Sequence, residues 1–204
     1  MKGLFITLEG IEGAGKTTAL SVLKDWFEAQ GRVVCATREP GGTPLAEEIR
    51  TILKAPRSEP VVEHTELLLM FAARAQHVER IIRPALARGE VVLCDRFTDS
   101  SLAYQGYARG VALEKITQLA DMVHPDCWPD RTFWLDLPVE QGLARAAGRG
   151  GFDRFEQEKI AFFKQVRAGF AAIAARQPQR IVRIDSSGTA DTVARQLIES
   201  VSQW

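Results

Sequence analysis

Apolar positions in this chain fall into short blocks separated by longer amphipathic stretches. Leu4 to Leu8, Val33 to Thr37, Val91 to Cys94, Thr132 to Leu137 and Ile181 to Ile184 are runs of apolar or β-branched residues. Their length and composition suit strands covered on both faces. Between the first two runs, Ala19, Val22, Leu23, Trp26 and Phe27 recur at spacings of three and four, which makes one helical stripe, and Gly31 stops that helix. The pattern predicts a long helix from about Glu63 to Arg88, and further helices over Leu113 to Met122, Glu140 to Ala147, Glu156 to Ala175 and Thr189 to Val201. Strand and helix alternate throughout, so the expected architecture is α/β: a doubly wound, five-stranded parallel sheet flanked by helices. Ligands of such sheets sit at the carboxyl ends of the strands.

Composition narrows the reading without changing it. The chain has 204 residues with 46% hydrophobic and 25% charged side chains, enough for one well-buried core, so a single domain over 1–204 is expected. The glycine- and arginine-rich stretch Gly148 to Asp153 has helix on both sides and reads as a mobile loop, a short lid over about 148–156. Lys plus Arg and Asp plus Glu both number 26. No global basic field points to a nucleic-acid partner, and any polyanion site must be built locally. Cys35, Cys94 and Cys127 lie far apart in or beside apolar runs, as buried reduced thiols do. No run reaches the ~18 apolar residues of a membrane span and no cleavage signal follows the first strand, so a cytoplasmic protein without membrane association is expected. His64, His77 and His124 lack metal-ligand spacing, and exposed or capping positions are expected for them.

The first strand runs directly into Gly10-Ile11-Glu12-Gly13-Ala14-Gly15-Lys16-Thr17, which fits the Walker A pattern, and a predicted helix follows at Thr18. That context separates a phosphate-binding P-loop from an ordinary glycine-rich turn. The glycines allow successive N–H groups to face phosphate oxygens, and the helix start adds partial positive charge. Lys16 is expected to reach the β- and γ-phosphates of ATP, and the Thr17 hydroxyl to ligate Mg²⁺. A dinucleotide fold is excluded, because Thr18 stands where its fingerprint needs the last Gly or Ala.

The third apolar run ends in Asp95-Arg96-Phe97. Asp95 is placed to hold the magnesium shell and Arg96 to grip a phosphate, although spacing alone describes a surface ion pair at a strand end nearly as well. Three further segments are Thr37-Arg38-Glu39-Pro40-Gly41-Gly42-Thr43, Phe71-Ala72-Ala73-Arg74-Ala75-Gln76-His77, and Asp95-Arg96-Phe97 continuing to Ser100-Ser101-Leu102-Ala103-Tyr104-Gln105-Gly106. Together and in this order they resemble the thymidylate kinase family over nearly the whole chain. The resemblance implies that Arg38 and Arg96 bind the dTMP phosphate and that Glu12 lies near the sugar 3′-hydroxyl. It further implies that Phe71 stacks on thymine while Arg74 hydrogen-bonds the edge of the base. Without it, Phe71 reads as core and Arg74 as a solvated charge. The segment around Ser100, Ser101, Tyr104 and Gln105 is implied to close over base and deoxyribose, with the tyrosine ring disfavouring a ribose hydroxyl. The same segment also reads as a helix start capped by Asp99 or Ser100.

ATP and dTMP together carry about six negative charges, and one like-charge pair ~4 Å apart at an effective dielectric near 20 costs on the order of 4 kcal/mol. Local cations are therefore required. Arg149 and Arg154 lie in the glycine-rich loop and Arg145 beside it, while the variable P-loop positions Ile11, Glu12, Gly13 and Ala14 carry no arginine. The resemblance to the bacterial pattern assigns the catalytic arginine to the lid; a flexible basic surface turn is the alternative. Arg145 is also a candidate for stacking on adenine, with backbone of Asp185 to Thr189 lining it. In-line transfer without a covalent intermediate follows, since a phosphate acceptor is already ionised. Similar proteins are homodimers. Another deoxynucleoside monophosphate kinase, a P-loop switch or motor NTPase, and a nucleotide-binding regulator are the rival readings.

Overall fold

A computed structural model describes residues 2–148, 154–155 and 158–203. Five strands, β1 (Leu4–Glu9), β2 (Val34–Arg38), β3 (Val91–Asp95), β4 (Arg131–Asp136) and β5 (Ile181–Asp185), form one sheet in the order β2-β3-β1-β4-β5. Every pairing is parallel. Each strand lies within one residue of the apolar run that announced it. The central strands β1, β3 and β4 are buried almost throughout, whereas the edge strands β2 and β5 expose part of their length.

Alternation along the strands divides the core into two layers. Ile6, Leu8, Val91, Leu93, Phe133 and Leu135 pack on one face with Leu23 and Phe27 of α1 (Lys16–Ala29), on the side that also carries α9 (Ala190–Val201), whereas α8 (Ile160–Arg176) meets the opposite face, where Phe170 stacks on Trp134 and Arg167 pairs with Asp136. Phe5, Val92 and Cys94 face the other way, toward Val78, Ile82, Ala85 and Phe97. The remaining helices are α2 (Pro44–Lys54), α3 (Glu63–His77), α4 (Arg83–Ala87), α5 (Thr98–Ser101), α6 (Leu113–Val123) and α7 (Val139–Ala147).

The long helix expected from Glu63 is continuous in direction but not in hydrogen bonding: α3 passes through a π-helical turn, Val78–Ile82, into α4. A second π-helical stretch, Leu102–Ala108, extends α5. The helix expected from Glu156 begins at Ile160; Glu156 itself lies outside the described residues.

Two smaller expectations are corrected. His77 and His124 are fully buried rather than exposed or capping, each held by a threonine: Thr37 Oγ1 meets His77 Nε2 at 2.7 Å and Thr98 Oγ1 meets His124 Nε2 at 2.7 Å. The start of α5 is not capped by Asp99 or Ser100, since Asp99 accepts from Arg180 at 2.7 and 2.8 Å and the Ser100 hydroxyl turns to Glu9. Glu9 supplies the cap from the neighbouring strand, accepting Phe97 N–H at 2.8 Å and Ser100 N–H at 3.3 Å.

Candidate active site

The carboxyl ends of β1 and β3 meet in register, Leu8 opposite Asp95, and the chain leaves β1 into the glycine loop and then α1. Gly13 has φ of 72°. A side chain there would collide with the backbone carbonyl of Gly142 in α7, so the position needs glycine for both conformation and space. Lys16 is buried, and its Nζ donates to the carbonyls of Gly10 at 3.1 Å and Ile11 at 3.0 Å. Burial, reinforced by the charge of Arg96, pulls its pKa down to about 8. Thr17 and Thr18 are exposed at the helix start. The arrangement presents an ammonium, the first N–H groups of α1 and free hydroxyls to a polyphosphate.

Beside this cradle a cavity is walled by Glu12, Arg38, Glu39, Arg50, Met70, Arg74, Asp95, Arg96, Ser100, Ser101, Tyr104 and Gln105, with Phe155 from the far side. Arg96 is the hinge between the two spaces. It adopts φ of 71°, the one non-glycine residue with positive φ among those described, a conformation that costs roughly 1–2 kcal/mol. Hydrogen bonds on either side over-determine it: Arg96 N–H to Leu8 O at 2.9 Å, then Phe97 N–H to Glu9. Its guanidinium donates to Glu12 at 2.9 Å and Ser100 at 3.1 Å and lies 4.9 Å from the Tyr104 ring. The Tyr104 hydroxyl closes the group with bonds of 2.8 and 3.0 Å to Glu12. Burial first, then the charge of Asp99, raises the Glu9 pKa to about 8.

Asp95 Oδ1 is buried and has no hydrogen-bond partner among the described residues. Those residues contain no cluster of three or more His, Cys, Asp or Glu suited to a metal. One unpaired carboxylate oxygen and the Thr17 hydroxyl therefore fit a hard cation that retains water and leans on phosphate oxygens, the habit of Mg²⁺.

On α3 the structure departs from the expected residues. Phe71 is not in the cavity wall. It is 2% exposed and packs with Leu67, Val111, Ile116 and Ala120, and its neighbour Met70 takes the wall position. What stacks on the Phe71 ring is the Arg74 guanidinium, 4.5 Å from its centroid. Phe71 and Arg74, three apart on the helix, are in contact, yet Phe71 is turned into the α6 layer and only Arg74 borders the cavity. Gln105 lines the cavity as expected and donates to Glu66 at 2.7 Å. Arg38 reaches the cavity rim and pairs with Glu47 at 3.0 Å.

A sequence model of the thymidylate kinase family matches residues 8–197. The chain belongs to the thymidylate kinase family. A thymidylate kinase of Alkalilimnicola ehrlichii is 52% identical over 208 aligned positions, covering 100% of this chain and 96% of the relative. One of Pseudomonas fluorescens is 58% identical, covering 92% and 89%. A crystal structure of thymidylate kinase from Ehrlichia chaffeensis superposes with a TM-score of 0.82 at 33% identity, covering 98% of this chain and all of the other. Membership makes the chain a nucleoside monophosphate kinase that uses ATP, and it removes the switch, motor and regulator alternatives.

The lid region reads differently from the sequence expectation. Arg149 lies outside the described residues. Arg154 is not directed at the phosphates: its Nε donates to Leu53 O at 2.8 Å and its Nη2 pairs with Glu66 at 2.7 Å, while its backbone N–H bonds Lys54 O at 3.3 Å. Glu66, 1% exposed, also takes Arg109 at 3.4 Å. A carboxylate so deeply buried requires cationic partners, and Arg154 is one of them. Arg145 is half met by expectation, because its guanidinium donates to Ser186, Ser187 and Gly188 carbonyls at 2.8 to 3.1 Å and so joins the Asp185 to Thr189 backbone. Glu9, Arg50, Glu66 and Met70 were missed. Glu9 alone carried a signal, an acid ending an otherwise apolar strand just before the glycine loop.

Proposed function

We propose that this chain transfers the γ-phosphoryl group of MgATP to dTMP, giving dTDP and ADP for dTTP synthesis. The observation that carries the reading is that Arg96 and Glu12 belong at once to the phosphate cradle and to the cavity beside it, so donor and acceptor meet at one charged junction. Gly10 to Thr18 hold the ATP phosphates, and Lys16 exchanges its bonds to loop carbonyls for phosphate oxygens. Arg38 and Arg96 take the dTMP phosphate. Glu12, oriented by Arg96 and Tyr104, faces the 3′-hydroxyl, and the Tyr104 ring limits space at C2′. Arg74, Ser101 and Gln105 address the pyrimidine with Ser100 beside them, while Phe71 acts from beneath Arg74.

Mg²⁺, held by Thr17 and Asp95, neutralises charge on the transferring phosphoryl group when bound. The acceptor oxygen is already ionised, so this chain's residues contribute positioning and charge rather than a general base. Arg149 supplies the lid cation, and Arg154 fixes the lid's root to Glu66. Arg145 and the Ser186 to Gly188 backbone border the adenine. The chain acts as one domain, in the cytoplasm, as a homodimer packed through α3. Among the described residues, no helix is long and apolar enough to cross a membrane.

The test is ADP release and diphosphate formation with dTMP, dUMP, UMP, dCMP, dAMP and dGMP, beside a Lys16→Ala control. Strong preference for dTMP and an inactive control are expected. Acceptor-independent ATP turnover at the same rate would overturn the reading.

A further inference from the structure

Arg74 occupies a slot that leaves its guanidinium almost no freedom. Phe71 lies 4.5 Å below its centre and Phe97 5.2 Å away. Its Nε donates to Glu39 Oε2 at 2.6 Å and its Nη2 to Ser101 Oγ at 3.1 Å. Its Nη1 is buried and has no hydrogen-bond partner among the described residues, on a side chain that borders the cavity. A guanidinium only donates. An unpaired buried donor is costly unless the ligand brings an acceptor to it.

The geometry behind Arg74 is as ordered as the geometry in front of it. Glu39 is 4% exposed, and its second oxygen, Oε1, meets His77 Nδ1 at 3.0 Å. His77, fully buried, ends the chain of contacts on Thr37 Oγ1 at 2.7 Å. A carboxylate only accepts, so Nδ1 carries the proton toward Glu39, and Nε2 is left to the threonine. Burial alone would raise the Glu39 pKa, but the Arg74 charge and the His77 hydrogen bond outweigh it and hold it low. Thr37 is in β2 and His77 ends α3, so the series ties the edge strand to the helix that carries Arg74.

We infer that Thr37, His77 and Glu39 are positioning residues for acceptor choice: they hold Arg74 so that Nη1 is offered to a pyrimidine carbonyl and opposes an amino group at the same place. The inference rests on the reading that the cavity takes dTMP. Thymine places an oxygen where cytosine places an NH₂, and a fixed donor facing a donor leaves both unpaired. A guanidinium free to swing could move aside from the cytosine amino group; one clamped between two rings and a carboxylate cannot. Selectivity therefore depends on how Arg74 is held as well as on its presence.

The experiment compares kcat/KM for dTMP and dCMP, and KM for ATP, in the wild type, Glu39→Gln and Thr37→Val. Gln keeps the shape of Glu39 but removes its charge and one acceptor. The expected loss of kcat/KM for dTMP in Glu39→Gln is about 30-fold or more, carried by the monophosphate KM, with dCMP and ATP nearly unaffected, so that the dTMP to dCMP ratio falls. Thr37→Val, which removes one hydroxyl at the far end, lowers that ratio by about threefold and carries the test if Glu39→Gln does not fold. Parallel losses for dTMP and dCMP, or an unchanged ratio in a dTMP-selective wild type, overturn this inference alone. A wild type that does not prefer dTMP sinks the functional reading and this inference with it.

Discussion

Arg154 separates two accounts of the lid that predict opposite experimental signatures. As an arginine delivered to the transferring phosphoryl, its removal would cost roughly 10³ to 10⁵ in kcat with little effect on folding. As an anchor, its removal leaves Glu66, 1% exposed, without one of its cations. Breaking a buried ion pair typically costs about 3–5 kcal/mol. Here Gln105 at 2.7 Å and Arg109 at 3.4 Å still face Glu66, so Arg154→Met is expected to lose about 2–3 kcal/mol, below that range. For a chain of this length that corresponds to a fall in Tm of about 5–10 °C. Glu66→Gln should lose a similar amount, and the double variant should recover a coupling energy of about 1–3 kcal/mol. Urea unfolding of the four proteins measures the cycle, and steady-state kinetics at a temperature where all are folded should show kcat reduced by less than about tenfold. An Arg154→Met enzyme with wild-type stability and a kcat lower by three orders of magnitude would refute the anchoring argument.

Three further outcomes are expected. Burial holds the His124 pKa down at about 4, below its unfolded value, so the unfolded chain binds the proton first and stability is lost as pH falls from about 6.5 toward 4, by at most about 1.4 kcal/mol per pH unit; unfolding at pH 7 and pH 5 should show a smaller loss in His124→Gln. Tyr104→Phe removes both bonds to the Glu12 carboxylate and should lower kcat/KM for dTMP by about tenfold, while isothermal titration with ATP alone changes little. Gly13→Ala forces a methyl into the Gly142 carbonyl and should abolish nucleotide binding in the same titration while far-UV circular dichroism is retained.

The five strands were legible because each is a compact apolar run, and the P-loop because strand, glycines and helix follow one another in sequence. Helix α2 was less so: its signals, Thr43 accepting from Ala46 N–H and Pro44 in the first turn, sit inside a segment read for its chemistry. The π turns leave no periodicity to find, since they shift it by one residue. Buried polar groups were the main loss. His77 and His124 looked exposed because their partners, Thr37 and Thr98, lie 40 and 26 residues away, and Glu66 looked like any acid near the start of a helix. Met70 and Phe71 differ by one position, and only the placement of α6 decides which of them meets the cavity.

The bonds from Lys16 to Gly10 and Ile11 also bear on inhibitor chemistry. A compound that carries a phosphate or a similar anion can draw that ammonium away from its own loop; a neutral compound would find the cradle already satisfied and gain nothing from it. Neutral scaffolds are better aimed at the neighbouring cavity, where, among the described residues, Arg74 offers an unclaimed donor and Asp95 an unclaimed acceptor.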